Sequence, residues 1–184
     1  MGFGQAFDQV LDAAQADVPW AYETIYAELA PTVCGYFRLQ GARDPEDLVS
    51  EVFLGAFRSL ESFAGSEAQF RSWLFTIAHR RLTDERRRWA RRPLVSGDDE
   101  GAAGDHLGGN VEDDALRRMS GDRVRALVDT LAPDQRDVIL LRMVSDLTVE
   151  STAEVLGKSS GAVKALQRRA LLALREKVEP AVPL

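Results

Sequence analysis

Apolar side chains recur every three or four residues over most of the chain, which predicts helices rather than strands. The first such stretch, 1–18, is either a short amphipathic helix or a frayed end. A second begins at Pro19 and contains Pro31, so it forms either one kinked helix or two. Asp44 and Pro45 are typical of an N-cap and a first-turn proline, and they predict the start of a third helix.

The pattern breaks twice more along the chain. A loop is predicted over 61–69, around Gly65, and a helix follows from Phe70. Periodicity is lost from 93 to 114, where glycines alternate with acidic residues as in a flexible linker. The sequence therefore predicts an all-α protein with two small helical domains joined by a flexible acidic linker. The expected segments are an N-terminal extension (1–18), a first domain (19–92), the linker (93–114), a second domain (115–178) and a tail (179–184).

The end of the second domain has the spacing of a helix-turn-helix. Thr148 is a plausible N-cap for a short helix, Gly157 marks a tight turn, and a longer basic helix begins at Ser159 or Ser160. At 100° per residue, its small and basic side chains fall opposite its apolar ones. This outward face allows close approach to DNA, and its cations can reach phosphates or guanine edges. The alternative is an ordinary amphipathic helix.

Charge is unevenly distributed along the chain, although the net charge is −6. Residues 71–92 carry eight basic and two acidic side chains, whereas 93–114 carry seven acidic and no basic ones. A polyanion responds to the local field rather than to the total, so an acidic chain can still bind nucleic acid at 71–92.

The stretch 44–92 changes character from one end to the other. It begins with carboxylates, continues with aromatic residues and ends in arginines. An acidic helix face can dock on a basic protein surface, exposed aromatic rings can stack on unpaired bases, and arginines attract a polyanion. Each of these patterns also occurs on plain solvated helices, and Trp73 is more often a core residue than a base contact. Trp73 is kept as a candidate.

Several classes of function are disfavoured by what the sequence contains. Cys34 is the single cysteine and the histidines are His79 and His106, so neither an intramolecular disulfide nor a metal cluster is expected. Asp84 and Glu85 are adjacent and diverge on a helix, so they make no catalytic pair. No signal peptide or membrane span is recognised. We expect a cytoplasmic protein that is not an enzyme and needs no cofactor.

Two blocks of sequence resemble one family, the extracytoplasmic-function (ECF, group 4) sigma factors of bacterial RNA polymerase in the sigma-70 family. The stretch 44–54, followed by 70–78, resembles sigma region 2. The stretches 131–136, 140–142, 153–157, 161–164 and 169–170 are similar to region 4. Both blocks occur in the family's order around a linker, and this combination is highly specific.

The resemblance implies a sigma factor that binds core RNA polymerase and directs promoter-specific initiation. It would recognise minus-thirty-five and minus-ten elements and aid promoter melting. The implied partners are the clamp coiled coil of the largest polymerase subunit, the beta flap and promoter DNA, with no membrane insertion. Family members are commonly held by an anti-sigma factor, which makes one a candidate partner. The alternative is a stand-alone helix-turn-helix regulator whose N-terminal domain binds another partner.

The resemblance also implies roles for individual residues. Polymerase binding is expected at Asp47, Ser50, Glu51, Leu54 and Phe57. The minus-ten element is expected to contact the loop and the helix after it, at Ser62, Phe63, Ala64, Gly65, Ser66, Phe70, Trp73, Arg80, Arg81, Arg86, Arg87 and Arg88. The minus-thirty-five element is expected at Thr148, Ser159, Ser160, Gly161, Lys164, Ala165, Arg168 and Arg169.

Overall fold

A computed structural model describes residues 3–91 and 121–178, and within these two ranges the regular structure is helical. Short 3-10 turns occur at Gly4–Ala6 and Leu60–Ser62. The helices are α1 (Phe7–Gln15), α2 (Pro19–Leu39), α3 (Pro45–Arg58), α4 (Glu67–Ala90), α5 (121–129), α6 (Pro133–Met143), α7 (Val149–Leu156) and α8 (Ser160–Val178). The predicted all-α fold with two helical domains is confirmed. The acidic linker lies outside the described residues.

Helices α1 to α4 form the N-terminal module, whose core is largely aromatic. Tyr36 and Phe75 are fully buried, and their rings meet edge to face at 5.6 Å. Phe37 and Phe70 are fully buried as well. Burying one such side chain contributes about 1.5–3 kcal/mol to folding, so these rings are the main reason that the four helices hold together.

Two uncertain points of the N-terminal sequence are resolved. The helix α2 runs unbroken through Pro31, which is exposed, while Leu29 and Val33 on its other side are buried. The proline removes one backbone hydrogen bond, and the packing of the buried face keeps the helix continuous. Before Pro19, a helix forms within the predicted N-terminal extension: α1 buries Phe7, Val10 and Leu11 against the rest of the module.

The loop after α3 is shorter than the sequence pattern predicts. Helix α4 begins at Glu67, three residues before the expected start at Phe70. The reason is a capping box, in which Ser66 accepts from the Gln69 backbone N–H while the Gln69 side chain accepts from the Ser66 backbone N–H. This reciprocal pair satisfies two N–H groups that would otherwise lack partners.

Helices α5 to α8 form the C-terminal module, which has small aliphatic clusters. One contains Leu131, Ile139 and Ala170. Another contains Val138, Ala153 and Val163. Further apolar residues of this module pack instead into the core of the N-terminal module, namely Val128, Leu140, Leu141, Leu147 and Val155. The two modules therefore touch through a shared apolar cluster.

Candidate nucleic-acid interface

The outer side of α3 carries the residues expected to bind a protein partner. Asp44 caps the helix by accepting a hydrogen bond from the Asp47 N–H at 3.1 Å, and Pro45 occupies the first turn. Leu54, an apolar residue, is 54% exposed in the middle of this side, with exposed Asp47 and Ser50 on the same face. An exposed leucine next to carboxylates suits a partner surface that is both apolar and basic.

Phe57 is less accessible than the other residues of this group. It is half-buried, and its ring lies edge to face against Tyr22 at a centroid distance of 4.9 Å. It also contacts Phe53, which is buried. Phe57 therefore supports the rim of the α3 face, while Leu54 and the polar side chains are directly available.

A groove of about 560 Å³ follows the seam between α3 and α4. Across it, Arg81 Nη1 lies 3.4 Å from Glu51 Oε2, so an expected polymerase contact is paired with an expected DNA contact. This Glu51 oxygen is buried and has no partner with hydrogen-bond geometry, so the ion pair is its main compensation. Further arginines line the groove, namely Arg58, Arg87, Arg88 and Arg91.

Arg58 is a member of the groove that the sequence reading missed. It lies four residues after Leu54 and is exposed, so the helical projection of α3 places both on one side. A helical projection of α3 could therefore have identified Arg58 from the sequence. The groove combines several cations with one wall of small and apolar residues, and such a surface attracts a polyanion such as a nucleic-acid backbone.

Arg86, although expected at the minus-ten element, points towards the end of α2. Its guanidinium donates to the backbone carbonyl and the side-chain oxygen of Gln40, each at 2.8 Å. Arg80, Arg87 and Arg88 are exposed to solvent on the same helix. Arg86 thus satisfies a helix C-terminal carbonyl, which is a common position for arginine.

The loop over 62–66 rests on aromatic rings. Phe63 is half-buried and packs against Phe70 and Trp73, each at 5.2 Å between centroids. Phe70 is fully buried and Trp73 partly buried, so both lie beneath the loop. The exposed positions of this group are Ser62, Ala64, Gly65 and Ser66.

Gly65 is required because the Gln69 side chain approaches its Cα closely. A Cβ atom at this position would lie 2.8 Å from Gln69 Oε1, the acceptor of the capping box. Any larger residue would push this side chain away and weaken the start of α4. The loop conformation and the first turn of α4 are therefore coupled.

Helix α1, for which the sequence suggested no role, braces this loop. The Gln15 side-chain amide donates to the backbone carbonyls of Leu60 and Phe63, at 3.0 and 2.7 Å. The Phe3 backbone N–H donates to Glu67 at 3.2 Å. No local pattern in the sequence could have shown these contacts, because they join residues that are 45 to 64 positions apart.

The helix-turn-helix is formed by α7, a glycine turn and α8. Thr148 caps α7 by accepting from the Ser151 N–H at 3.0 Å, and Gly157 ends it in the left-handed conformation with φ of +61°. Ser159 Oγ then accepts from the Ala162 N–H at 3.2 Å and caps α8. These local signals fix the angle at which α8 leaves the turn.

The outward face of α8 brings the expected reading residues together. The buried side holds Val163 and Ala170. The opposite side is exposed at Gly161, Lys164, Ala165, Arg168 and Arg169, with Ser160 partly exposed at its edge. Two small residues between cations leave room for a groove wall, while the cations can reach phosphates and base edges.

Two electrostatic features shape the region where the modules meet. Burial lowers the pKa of His79; Arg86 and Lys158 act in the same direction, while Asp137 opposes them. The Tyr36 hydroxyl lies 2.9 Å from His79 Nδ1 and is fully buried, and burial raises the pKa of Tyr36. Both groups are therefore neutral at neutral pH.

In the described part of the chain, His, Cys, Asp and Glu side chains nowhere group in threes as metal ligands would. Of the helices in 3–91 and 121–178, none has both the length and the apolar character required to cross a bilayer.

Comparison with known families matches both modules. The model of Sigma-70 region 2 matches residues 25–92, and the model of Sigma-70, region 4 matches residues 121–174. Together the two matches cover more than half of the chain, in the order that the sequence blocks predict.

Individual relatives agree with these matches. The chain is 33% identical to the ECF RNA polymerase sigma factor BldN of Streptomyces coelicolor over 90% of its own length and 63% of that protein. It is 30% identical to the ECF RNA polymerase sigma factor ShbA of Streptomyces griseus, covering 86% of this chain and 88% of ShbA.

A solved structure shares the fold. It is the sigma factor RpoE of Bartonella quintana in complex with the anti-sigma factor NepR, with a TM-score of 0.63 and 23% identity. The similarity covers 86% of this chain and 98% of RpoE.

The chain belongs to the sigma-70 family of RNA polymerase sigma factors. Within that family it is an ECF sigma factor, one of the subunits that direct promoter-specific transcription initiation. The resemblance stated from the sequence is thereby confirmed. Of the two alternatives that the sequence left open, the family favours the sigma factor over the stand-alone regulator.

Proposed function

We propose that this sigma factor reads the minus-thirty-five element with the outward face of α8. The observation that carries the proposal is the exposure of Gly161, Lys164, Ala165 and Arg168 on one side of a helix that a rigid glycine turn presents. An α-helix fits the major groove, where lysine and arginine donate to guanine and the small residues permit close contact. Thr148, Ser159, Ser160 and Arg169 would hold the flanking backbone.

The outer side of α3 would dock on the clamp coiled coil of the largest polymerase subunit. Leu54 supplies the apolar contact there, with Asp47, Ser50, Glu51 and Phe57 around it. Buried apolar anchors with a charged rim are the usual anatomy of such an interface. The beta flap would be the second polymerase contact, made by the C-terminal module.

The minus-ten element would meet the loop at 62–66 and the groove arginines. Extruding one base costs a few kcal/mol, which stacking and phosphate contacts offset, so binding itself shifts the duplex towards the open form. Arg80, Arg81, Arg87 and Arg88 would hold the backbone. Phe70 and Trp73 would support the loop from beneath, while Arg86, which is exposed but bound to Gln40, would support the end of α2.

This activity requires no chemical step by the sigma factor itself. The protein would act in the cytoplasm as an initiation factor rather than an enzyme, because its partners, the polymerase and the promoter, are found there. The domain limits that we propose remain 19–92 and 115–178. RpoE was solved with an anti-sigma factor, and we propose a protein of this kind as a further partner.

Run-off transcription with purified core polymerase tests the central proposal. Transcripts that depend on the added chain are expected. Glu51→Arg should abolish core binding, because it places a cation in a groove already lined by arginines and opposite a basic clamp. Glu23→Arg, an equal charge reversal at an exposed position of α2, is the matched control and should bind normally. Unchanged binding of Glu51→Arg would remove the α3 face from the interface.

The reading helix is tested by removing two of its cations. Lys164→Ala with Arg168→Ala should reduce dependence on the minus-thirty-five element and lower the salt slope of DNA binding by about 2, without affecting core binding. Arg123→Ala with Lys177→Ala removes the same charge from other exposed positions and should change neither. Normal promoter use by the first double variant would show that α8 is not the reader.

A further inference from the structure

The loop at 62–66 is held on one side by the last residue of α1. The Gln15 side-chain nitrogen donates to the backbone carbonyls of Leu60 and Phe63, at 3.0 and 2.7 Å. Its two hydrogens allow both bonds at once, so they fix the distance between the two carbonyls. Leu60 belongs to a 3-10 turn and Phe63 is extended, so the bridge spans the point where the backbone changes direction. Gln15 is itself half-buried.

A second contact holds the other side of the loop. Phe3, which precedes α1, donates its backbone N–H to Glu67 Oε1 at 3.2 Å. Glu67 is the first residue of α4, and the same oxygen pairs with Arg71, one turn later, at 3.3 Å. Positions 64–66 lie between the two contacts and are exposed. The tip of the loop is therefore free to meet a ligand while both of its ends are held.

A row of aromatic rings keeps α1 in place next to the loop. The Phe7 ring lies between Phe3 and Phe70, with centroid distances of 5.6 and 5.7 Å. Phe70 in turn lies 5.2 Å from Phe63. Phe7 and Phe70 are both buried, so this row remains packed if the polar contact of Gln15 is removed. The hydrogen bonds can therefore be tested separately from the folding of α1.

Helix α1 precedes the part of the chain that the family match covers. The Sigma-70 region 2 model matches from residue 25 onward, so the match includes the loop and leaves Gln15 without an assigned role. A binding loop whose shape is fixed beforehand loses less conformational entropy when its ligand arrives. It also discriminates better, because a fixed surface adapts less to a wrong ligand.

We propose that Gln15 is a positioning residue for the minus-ten element, and that it holds the loop at 62–66 in the shape that selects one extruded base. The inference rests on the proposed function, in which this loop meets the minus-ten element. Gln15 acts through the carbonyls of Leu60 and Phe63 rather than by touching DNA. Loss of its hydrogen bonds lets the tip adapt to other bases, so selectivity falls at the minus-ten element, while α3 and α8 keep their faces.

Hydrogen exchange on the full chain tests the contact without polymerase. Gln15→Met has a similar size but no donor, so it should speed amide exchange over 60–66 several-fold and leave exchange in α8 unchanged. Gln15→Lys restores a nitrogen donor at a similar reach and should return the rate towards that of the wild type. Gln9→Met, at an exposed position of α1, is the matched control. Unchanged exchange over 60–66 in Gln15→Met would overturn the proposal.

Transcription by the reconstituted holoenzyme tests the positioning role. On a promoter that the wild type transcribes, each minus-ten position is changed in turn to every other base. Gln15→Met should reduce the preference for the favoured base about tenfold at one position or two adjacent ones, the size expected for losing one or two hydrogen bonds. Gln15→Lys should restore the preference, and core affinity and minus-thirty-five dependence should stay constant. An equal loss at both elements would indicate general weakening and contradict positioning.

The positioning role and the proposed function fail in different ways. A wild type that supports no transcription removes the proposed function, while the exchange result still decides whether Gln15 holds the loop. A base preference that Gln15→Met retains removes the positioning role alone. If Gln15→Met does not fold, Gln15→Glu places a carboxylate against the same carbonyls and should give the same loss, with Gln9→Glu as its control.

Discussion

The two modules reach stability with different side chains. The chain has eight Phe, three Tyr and three Trp residues, and all of them lie before position 90. The N-terminal module buries Tyr36, Phe37, Phe70 and Phe75 completely, whereas the buried side chains described in 121–178 are mainly aliphatic. A large aromatic side chain buries more apolar surface than an aliphatic one, so it can contact more of the surrounding helices.

This difference explains why the C-terminal module buries part of its apolar surface against the N-terminal module. Its own clusters are small, and part of its apolar surface is completed by α2 and α4. In return it presents the residues proposed to read the minus-thirty-five element on a single helix, α8. The N-terminal module distributes its candidate contacts over α3, a loop and α4, and so needs a larger core to keep three elements in register.

The largest expected effect comes from the aromatic core. Phe75→Ala should cost about 3–5 kcal/mol in free energy of unfolding, because it leaves a cavity next to the Tyr36 ring. Val163→Ala, at an equally buried position of the C-terminal module, should cost about 2 kcal/mol, since it removes two buried methyl groups. Urea unfolding followed by far-ultraviolet circular dichroism measures both. Equal losses would contradict the difference between the cores.

Helix caps should affect both modules alike. Asp44→Ala and Thr148→Ala each remove an acceptor for a first-turn N–H and should each cost about 1 kcal/mol. Asp44→Asn and Thr148→Ser keep the acceptor and should retain most of the stability in the same urea experiment. A much larger loss at Thr148 would indicate that the aliphatic module depends on local capping more than the aromatic one does.

The smallest expected effect is a pH dependence at the contact between the modules. The pKa of His79 is lowered by burial from its ordinary value of 6.5, so the unfolded chain takes up this proton first. Neutral His79 therefore makes its full contribution to folding stability above the pKa of the unfolded state. That contribution is lost as the pH falls from this value towards the lower pKa of the folded state. Of the charged groups that act on His79, Asp137 opposes this loss, while Arg86 and Lys158 enhance it.

Unfolding free energies from about pH 7.5 down to about pH 5.5 test this linkage. His79→Gln keeps a partner for the Tyr36 hydroxyl and removes the proton site, so the slope of stability against pH should flatten. If the variant has the same slope of stability against pH as the wild type, groups other than His79 cause the pH dependence.

Local signals predicted the helix-turn-helix closely. Thr148 caps α7 and Gly157 ends it, as the sequence indicates, and α8 begins at Ser160. The local sequence also predicts the N-cap at Asp44 correctly. These features depend on residues within one turn of each other, so their physics is present in the local sequence.

Contacts between distant residues could not be predicted in this way. Arg86 is exposed, as expected for a basic run, but its hydrogen bonds to Gln40 could not be predicted, because they form only where α4 passes the end of α2. The bracing of the loop by Gln15 and the pairing of Gln40 with Asp137 also depend on tertiary packing. Helical periodicity shows which face is buried, but not which neighbour covers it.

The placement of every aromatic ring before position 90 has an optical consequence. Trp20, Trp73 and Trp89 make the intrinsic fluorescence of this chain a report on one half only. A spectrum that stays constant while circular dichroism declines would therefore reveal melting confined to the half that carries α8.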